Sequence, residues 1–264
     1  MIDMGSVRHG LGELTVVRHG RSTANAALAA AEAAGAMDTA ITGLDVDVPL
    51  SELGRVRAAA LGGHLAGRYL EERHRTERRG PTPGPALDPG RGQPPQVVIC
   101  SPFLRARQTW QVAAAAARDG GLVLPEPVVD ARLGDRAMGR LQLLTSAAVA
   151  RRFPDEAGRR RRAGEFHYRP PGGESFADVA VRLAAFLDDW GRRAAGGRVF
   201  LVAHDAVVLL LRYVLEKLTV DDVAAIVAAG PVINAAVTRF VRDGDRLVLA
   251  EYNTATWASH RIYK

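Results

Sequence analysis

Two arginines and two histidines stand at or just beyond the ends of short apolar runs in this sequence. A guanidinium group is suited to phosphate because its planar fork donates two parallel hydrogen bonds. A neutral imidazole can attack a phosphoryl group and form a covalent intermediate. Residues of both types delivered to one place could therefore bind phosphate and react with it. The four residues are Arg18, His19, Arg105 and His204.

Three apolar, β-prone runs must position these side chains, at residues 14–17, 97–100 and 199–203. Helical patterns separate the runs, and strands that alternate with helices predict a layered α/β domain. In open α/β sheets, ligands bind in the crevice at the carboxyl ends of the strands. We therefore expect the four residues to converge on one site at that edge.

We expect the remaining segments to fold together with these runs into one domain over residues 1–264. A Pro/Gly-rich stretch at about 80–96 predicts a flexible surface loop within it. Segment 131–165 is predicted to be irregular, and a hairpin is predicted around Asp243-Gly244 from strands at 237–241 and 246–252. Ser51 is the predicted N-cap of the second helix. The predicted helices cover residues 24–36, 51–73, 104–118, 175–193 and 207–218.

Composition narrows the class of protein. The single cysteine, Cys100, excludes an intrachain disulfide framework and a cysteine-rich metal site. No apolar run reaches the roughly 20 residues that cross a bilayer. Residues 1–15 lack the basic-then-apolar order of a secretory signal, so a cytoplasmic location is expected. The formal net charge is +6, and only two of the 35 basic residues are lysines. Charge alone leaves nucleic acids, anionic membranes and small phosphorylated substrates open.

Four segments, in order, resemble the motifs of the histidine phosphatase superfamily, the phosphoglycerate-mutase-like group of branch 1. They are L-T-V-V-R-H-G-R-S-T-A-N at residues 14–25, S-P-F-L-R-A-R-Q-T at 101–109, G-G-E-S at 172–175 and V-A-H at 202–204. The resemblance spans residues 14 to about 240. It implies a three-layer α/β/α fold with a mostly parallel central sheet.

The resemblance also implies roles. His19 would be the nucleophile, and Arg18, Arg105 and His204 would form the phosphate clamp. Asp135 aligns with a glutamate that is the general acid in many members, and it could serve if burial raised its pKa. No metal or other cofactor is implied. The positions implied to contact substrate are Arg21, Ser22, Asn25, Thr42 and Gly43.

Two departures bear on the site. Asp205 stands where the family usually has glycine, and it would add negative charge beside the phosphate unless it pointed away or paired with an arginine. Leu143 replaces a residue that is usually small.

Three functions follow from these observations. The first is hydrolysis of a small phosphomonoester, with a phosphorylated metabolite as the only expected partner apart from a possible homodimer, and with neither nucleic acid nor membrane. The second is phosphoglycerate mutase-type transfer through the same phosphohistidine. The third, from a different class, is a basic binding protein that has lost catalysis, whose DNA binding would weaken steeply with salt.

Overall fold

The computed structural model describes residues 10–39, 41–79 and 93–258. Within them the strands are β1 (Glu13–Arg18), β2 (Val97–Cys100), β3 (Pro127–Val129), β4 (Arg198–Ala203), β5 (Val237–Asp243) and β6 (Arg246–Thr254). The α-helices of the same part of the chain are α1 (Thr23–Ala33), α2 (Glu52–Arg79), α3 (Leu104–Asp119), α4 (Ser146–Arg152), α5 (Glu156–His167), α6 (Phe176–Arg193), α7 (Asp205–Glu216) and α8 (Val220–Ala229).

The strands form one mixed sheet in the order β3-β2-β4-β1-β5-β6. Strands β1 to β4 run parallel to one another, whereas β5 is antiparallel to β1 and β6 is antiparallel to β5. The mostly parallel sheet and the closing hairpin are therefore as predicted, with Gly244 at a φ of 61° in the turn. Parallel neighbours end at the same edge, so β1, β4 and β2 deliver their last residues to one place.

Alternation along β4 explains the three layers. Val199 and Leu201 pack into a core with α6 and α7, whereas Phe200 and Val202 pack into a second core with α2 and α3. Successive side chains of a strand point to opposite faces, and here both faces are covered by helices. This confirms the predicted α/β/α arrangement.

The prediction of an irregular segment over 131–165 is wrong beyond residue 145. Thr145 caps α4 by accepting a hydrogen bond from the Ala148 amide at 3.1 Å, and α5 follows. Helix α5 buries only Glu156 and Phe166, so it lacks the apolar periodicity that identifies a helix in a sequence. Contacts between its two ends help to hold it instead, including a 2.6 Å hydrogen bond from the hydroxyl of its C-cap, Tyr168, to Glu156.

Several other boundaries differ from prediction. The helix capped by Ser51 runs to Arg79 rather than 73, and β3 and α8 were not predicted. Strand β3 is only three residues long, and Val128 and Val129 are exposed at this edge of the sheet, which leaves no buried pattern to detect. The predicted loop at 80–96 lies outside the described residues except for 93–96, which lead into β2.

No helix among the described residues combines the length and apolar character that a bilayer crossing needs.

We expect Leu201→Ala to lower the free energy of unfolding by about 2–5 kcal/mol, because it removes buried methyl groups and leaves a cavity. Leu201 is fully buried in central strand β4. Urea denaturation measures the change. Val181→Ala, at a position 52% exposed on α6, is the control and should cost well under 1 kcal/mol. Equal losses in the two variants would contradict the central place of β4 in the core.

Candidate active site

The carboxyl edge of the sheet brings the two histidines together. Strands β1 and β4 pair with Arg18 opposite Ala203, and the His19 amide donates a 2.9 Å hydrogen bond to the Ala203 carbonyl. The rings of His19 and His204 consequently lie edge to face, with centroids 5.1 Å apart. Strand β2 pairs with β4 on its other side, which places the start of α3, and with it Arg105, at the same edge.

The His19 ring is buried, and its tautomer follows from its contacts. Nδ1 lies 2.7 Å from the Gly20 carbonyl oxygen, which can only accept, so Nδ1 carries the proton. In the neutral ring, Nε2 then keeps its lone pair, toward which Arg105 Nε donates at 3.2 Å. Burial, reinforced by His204 and by the charges of Arg105 and Arg18, holds the pKa of His19 well below 6.5. His19 is therefore a neutral imidazole with an available nucleophilic nitrogen.

Arg105 contacts several of the other charged and polar groups of the site. Its guanidinium is 4% exposed, and two carboxylates share it. NH1 donates to the Asp45 carbonyl oxygen at 2.7 Å and to Asp45 Oδ1 at 2.9 Å, while NH2 donates to Asp45 Oδ2 at 3.1 Å. NH2 also donates to Asp135 Oδ2 at 3.1 Å. These carboxylate oxygens take the donors that would otherwise hold a phosphate.

His204 has no exposed surface and lies between two polar partners. Its Nε2 is 2.7 Å from Ser101 Oγ, and its Nδ1 is 3.3 Å from Asp135 Oδ2. The ring of Phe103 packs edge to face against it with centroids 4.8 Å apart, and the same ring lies under the Arg105 guanidinium at 4.6 Å. Burial lowers the pKa of His204, and Asp135 opposes part of that effect.

Asp135 lies at the site, but its pKa shifts in the direction opposite to the one considered from sequence. Burial raises the pKa of this carboxyl, but its interactions with His204, Arg105 and His19 together outweigh burial, so the net shift is downward. With no phosphate charge beside it, Asp135 is therefore an ionised carboxylate. A proton-donor role requires a change in its surroundings.

The glycine-rich third motif holds the segment that carries Asp135. Glu174 accepts from the Ala137 amide at 3.0 Å and pairs with Arg182 at 2.9 Å. A Cβ atom on Gly173 would lie 2.3 Å from the Ala137 carbonyl oxygen, so any larger residue would push the two segments apart. This close approach explains the glycine and gives the motif a positioning role.

Asp205 pairs with an arginine, one of the two outcomes considered from the sequence. It is the first residue of α7, where Oδ1 accepts from the Val232 amide at 3.1 Å and Oδ2 lies 3.8 Å from Arg18 NH1. The same Arg18 nitrogen donates to the Val232 carbonyl, while Arg18 Nε is buried without a hydrogen-bond partner among the described residues. Burial raises the pKa of Asp205, and Arg18 moderates the shift.

The positions implied to contact substrate have structural contacts of their own. Ser22 and Asn25 form the capping box of α1, with the Asn25 amide 3.0 Å from Ser22 Oγ and the Ser22 amide 3.1 Å from Asn25 Oδ1. The Arg21 carbonyl accepts from Ser51, and Thr42 and Gly43 are exposed in the loop before Asp45. Their contacts with a substrate stay predictions.

Sequence reasoning missed four residues of the site. Asp45 lies outside every motif quoted from the sequence, and Phe103 is only one letter of the second motif. Thr109 links the loops by accepting from the Gly20 amide at 2.9 Å and donating to the Arg105 carbonyl at 2.7 Å. Asn234 donates to the His19 carbonyl at 3.0 Å from a segment 215 residues away, a contact no local pattern could reveal.

The part of the chain that the structure describes contains no group of three or more His, Cys, Asp or Glu side chains arranged to hold a metal ion.

Comparisons with known proteins agree on one family. The model of the histidine phosphatase superfamily (branch 1) matches residues 89–255, beyond the first motif. The 2,3-bisphosphoglycerate-dependent phosphoglycerate mutase 2 of Gloeobacter violaceus is 28% identical over 212 residues, which cover 80% of this chain and 78% of the mutase. The corresponding mutase of Rhizobium etli is 26% identical and covers 81% and 84%.

Solved structures share the fold. A mycobacterial glucosyl-3-phosphoglycerate phosphatase in complex with VO3 is 27% identical with a TM-score of 0.62, covering 91% of this chain and 98% of that protein. The α-ribazole phosphatase of Shigella flexneri has a TM-score of 0.65 over 92% and 96% of the two chains, at 17% identity, which is evidence for the fold alone.

We expect Asp45→Asn to tighten binding of inorganic phosphate by about tenfold, which corresponds to about 1.4 kcal/mol, because a competing carboxylate leaves the Arg105 fork. Calorimetric titration with phosphate measures the dissociation constant. Asp47→Asn is the matched control, since it removes the same charge from an exposed position of the same turn. Weaker phosphate binding in Asp45→Asn would show instead that Asp45 holds Arg105 in the binding geometry.

Proposed function

The chain belongs to the histidine phosphatase superfamily (branch 1), and on that premise we propose that it hydrolyses a small phosphomonoester through a phosphohistidine on His19, without a metal or other cofactor. The observation that carries the proposal is the state of His19. Its ring is neutral, oriented by the Gly20 carbonyl, and within 3.2 Å of a buried guanidinium. The partner we propose is a small phosphorylated metabolite.

Phosphate binding would rearrange the donors around Arg105. A phosphate dianion offers more charge than the Asp45 carboxylate, so the guanidinium donors would transfer from Asp45 and from His19 Nε2 to its oxygens. Arg18, whose buried Nε has no partner among the described residues, would supply a second cation. Fixed cations stabilise the charge on the equatorial oxygens of the transferring group.

Transfer to His19 would follow once its Nε2 lone pair is released. Nε2 forms a bond to phosphorus while the bond from phosphorus to the ester oxygen breaks, and that oxygen keeps the electron pair. The Gly20 carbonyl stabilises the positive charge that develops on the ring through Nδ1–H. Because the pKa of His19 is lowered, the ring stays unprotonated at pH values below 6.5, so acid removes the nucleophile only well below that value.

Asp135 is the group we propose to donate a proton to the departing oxygen. Its pKa is low while His204 and Arg105 face it, and a bound phosphate places negative charge beside it and draws Arg105 away. A neighbouring like charge raises the pKa of a carboxyl, which is the change a proton donor needs. Water then attacks the phosphohistidine, gives its proton to Asp135, and releases phosphate as the bond to Nε2 breaks.

Mutase activity is the second candidate, because two relatives that match about four-fifths of this chain are phosphoglycerate mutases. Both reactions use the phosphohistidine, and they differ in whether water or a second hydroxyl receives the phosphoryl group. Incubation with 3-phosphoglycerate carrying labelled phosphorus separates them. Label released as inorganic phosphate favours the phosphatase, and label that moves to the 2-position favours the mutase.

His19→Ala should lower kcat/KM for phenyl phosphate by about 10³-fold or more, because it removes the nucleophile. Chelation of divalent ions should leave the wild-type rate unchanged. His74→Ala, an exposed histidine on α2, is the control and should retain full activity. Equal activity of His19→Ala and wild type would contradict the mechanism. Loss of activity on chelation alone would identify a metal enzyme.

Asp135→Asn should affect substrates according to how much their leaving group needs a proton. We expect kcat/KM for phenyl phosphate to fall about 100-fold or more, whereas 4-nitrophenyl phosphate, whose leaving group is stable as an anion, should lose much less. Stopped assays with both esters measure the split. A uniform loss for the two esters would mean that Asp135 positions Arg105 and His204 rather than donating the proton.

A further inference from the structure

A cavity of about 380 Å³ lies directly beside the proposed proton donor. Three of its lining residues contact the clamp: Asp135 bonds to Arg105 and faces His204, and Asp205 and Val232 both contact Arg18. These three residues form a wall shared between the cavity and the phosphate site. We expect a group attached to the oxygen that Asp135 would protonate to enter this cavity, because Asp135 belongs to both the cavity and the phosphate site.

Most of the remaining lining is apolar. It comes from helices α6, α7 and α8 and from strand β6, whose side chains pack around the space above the shared wall. Such a volume lies at the lower end of the roughly 300–1,000 Å³ typical of small-molecule pockets, so it fits part of a metabolite rather than a polymer segment. The residues concerned are Phe176, Leu209, Ile226, Val227 and Tyr252.

The charges in the cavity disfavour an anion. Asp135 and Asp205 present carboxylates, and the cation that lines the cavity, Arg136, is bound to acceptors of the chain. Arg136 Nε donates to the Glu174 carbonyl at 2.8 Å, and NH2 donates to the Tyr168 carbonyl at 2.9 Å. Its NH1 lies 3.6 Å from Glu165, so a carboxylate of the chain already compensates its charge.

A larger cavity of about 840 Å³ lies between α4 and α5. None of its lining residues contacts Arg18, His19, Arg105 or His204 among the described hydrogen bonds and ion pairs, so the smaller cavity is the one connected to the chemistry.

We propose that the 380 Å³ cavity binds the leaving group of the substrate, and that its lining selects an uncharged, predominantly apolar alcohol over one that carries a carboxylate or a second phosphate. This inference rests on the proposed phosphatase function. An apolar group gains from burial against Leu209, Ile226 and Val227, roughly in proportion to the apolar area removed from water. An anionic group loses its hydration in the cavity, where the lining cation Arg136 is already paired with Glu165.

Two phenyl esters of similar size test this preference: 4-methylphenyl phosphate and 4-carboxyphenyl phosphate. The carboxylate makes its phenolate the better leaving group, so intrinsic reactivity favours the charged ester. We expect kcat/KM of the wild type to favour the methyl ester by at least about tenfold, since a factor of ten corresponds to about 1.4 kcal/mol.

A lysine placed in the cavity should change this ratio. Val227→Lys puts a cation at a lining position that is 42% exposed, and it should shift the ratio several-fold toward the carboxyl ester. Val220→Lys is the matched control, because Val220 is 41% exposed on the same helix but does not line the cavity. This control should keep the wild-type ratio.

The outcomes separate the inference from the function on which it rests. Equal rates with the two esters, a preference for the charged ester, or the same ratio in Val227→Lys as in Val220→Lys would overturn the inference. Each of these results leaves the phosphatase function standing, provided that hydrolysis of phenyl phosphate depends on His19. Absence of any His19-dependent hydrolysis would overturn the function, and the inference with it.

Discussion

The site depends on the ion pairs and hydrogen bonds of the buried Arg105 guanidinium. A cation with 4% exposed surface has lost most of its hydration, and it is stable there only because charged and polar partners surround it. One donor reaches His19 Nε2, and the others reach Asp45 and Asp135. The same cation thus touches the nucleophile, the proposed proton donor and a carboxylate from the preceding loop. The partners that Arg105 binds therefore affect whether the lone pair of His19 is available and whether Asp135 is ionised.

Charge balance gives this arrangement its chemical logic. Arg18 and Arg105 face three carboxylates, those of Asp45, Asp135 and Asp205, so carboxylates of the chain already compensate both guanidinium charges. A phosphate dianion upsets the balance, and in our proposal the Asp45 carboxylate yields its place while Asp135 gains affinity for a proton. Binding and acid catalysis are then coupled by electrostatics, since like charges disfavour ionisation and opposite charges favour it. A substrate with further negative charge would upset the balance again, which agrees with an apolar leaving-group cavity bordered by Asp135 and Asp205.

Hydrogen bonds of the backbone fix the positions of the reacting side chains. The pairing of β1 with β4 fixes the end of one strand against the next, and the His19 amide extends that ladder by one bond. The third motif acts at longer range, because Gly173 lets its segment approach the loop of Asp135 closely. Strands hold reacting groups more accurately than loops do, and the loop of Asp135 is held by its contacts with the third motif. The contrast is Asp45, which lies on a short turn next to exposed residues and is the group we expect to move.

The sequence by itself determined strands β1, β2, β4, β5 and β6, helices α1, α2, α3, α6 and α7, and the strand ends that carry His19 and His204. These features follow from apolar runs, local capping and motif order, all of which are written over short stretches of chain. The charged helix α5 escaped prediction because it buries only two residues and has no apolar stripe.

Only the tertiary structure decided what surrounds the reactive groups. The grip of Asp45 on Arg105, the pairing of Asp205 with Arg18, the depressed pKa of Asp135 and the apolar cavity all join residues from distant segments. Each depends on burial and on distances of a few ångströms, and Coulomb energies and desolvation change steeply on that scale. Residue types can indicate a phosphate site, but the charge balance of that site and the shape of the cavity beside it exist only once the chain has folded.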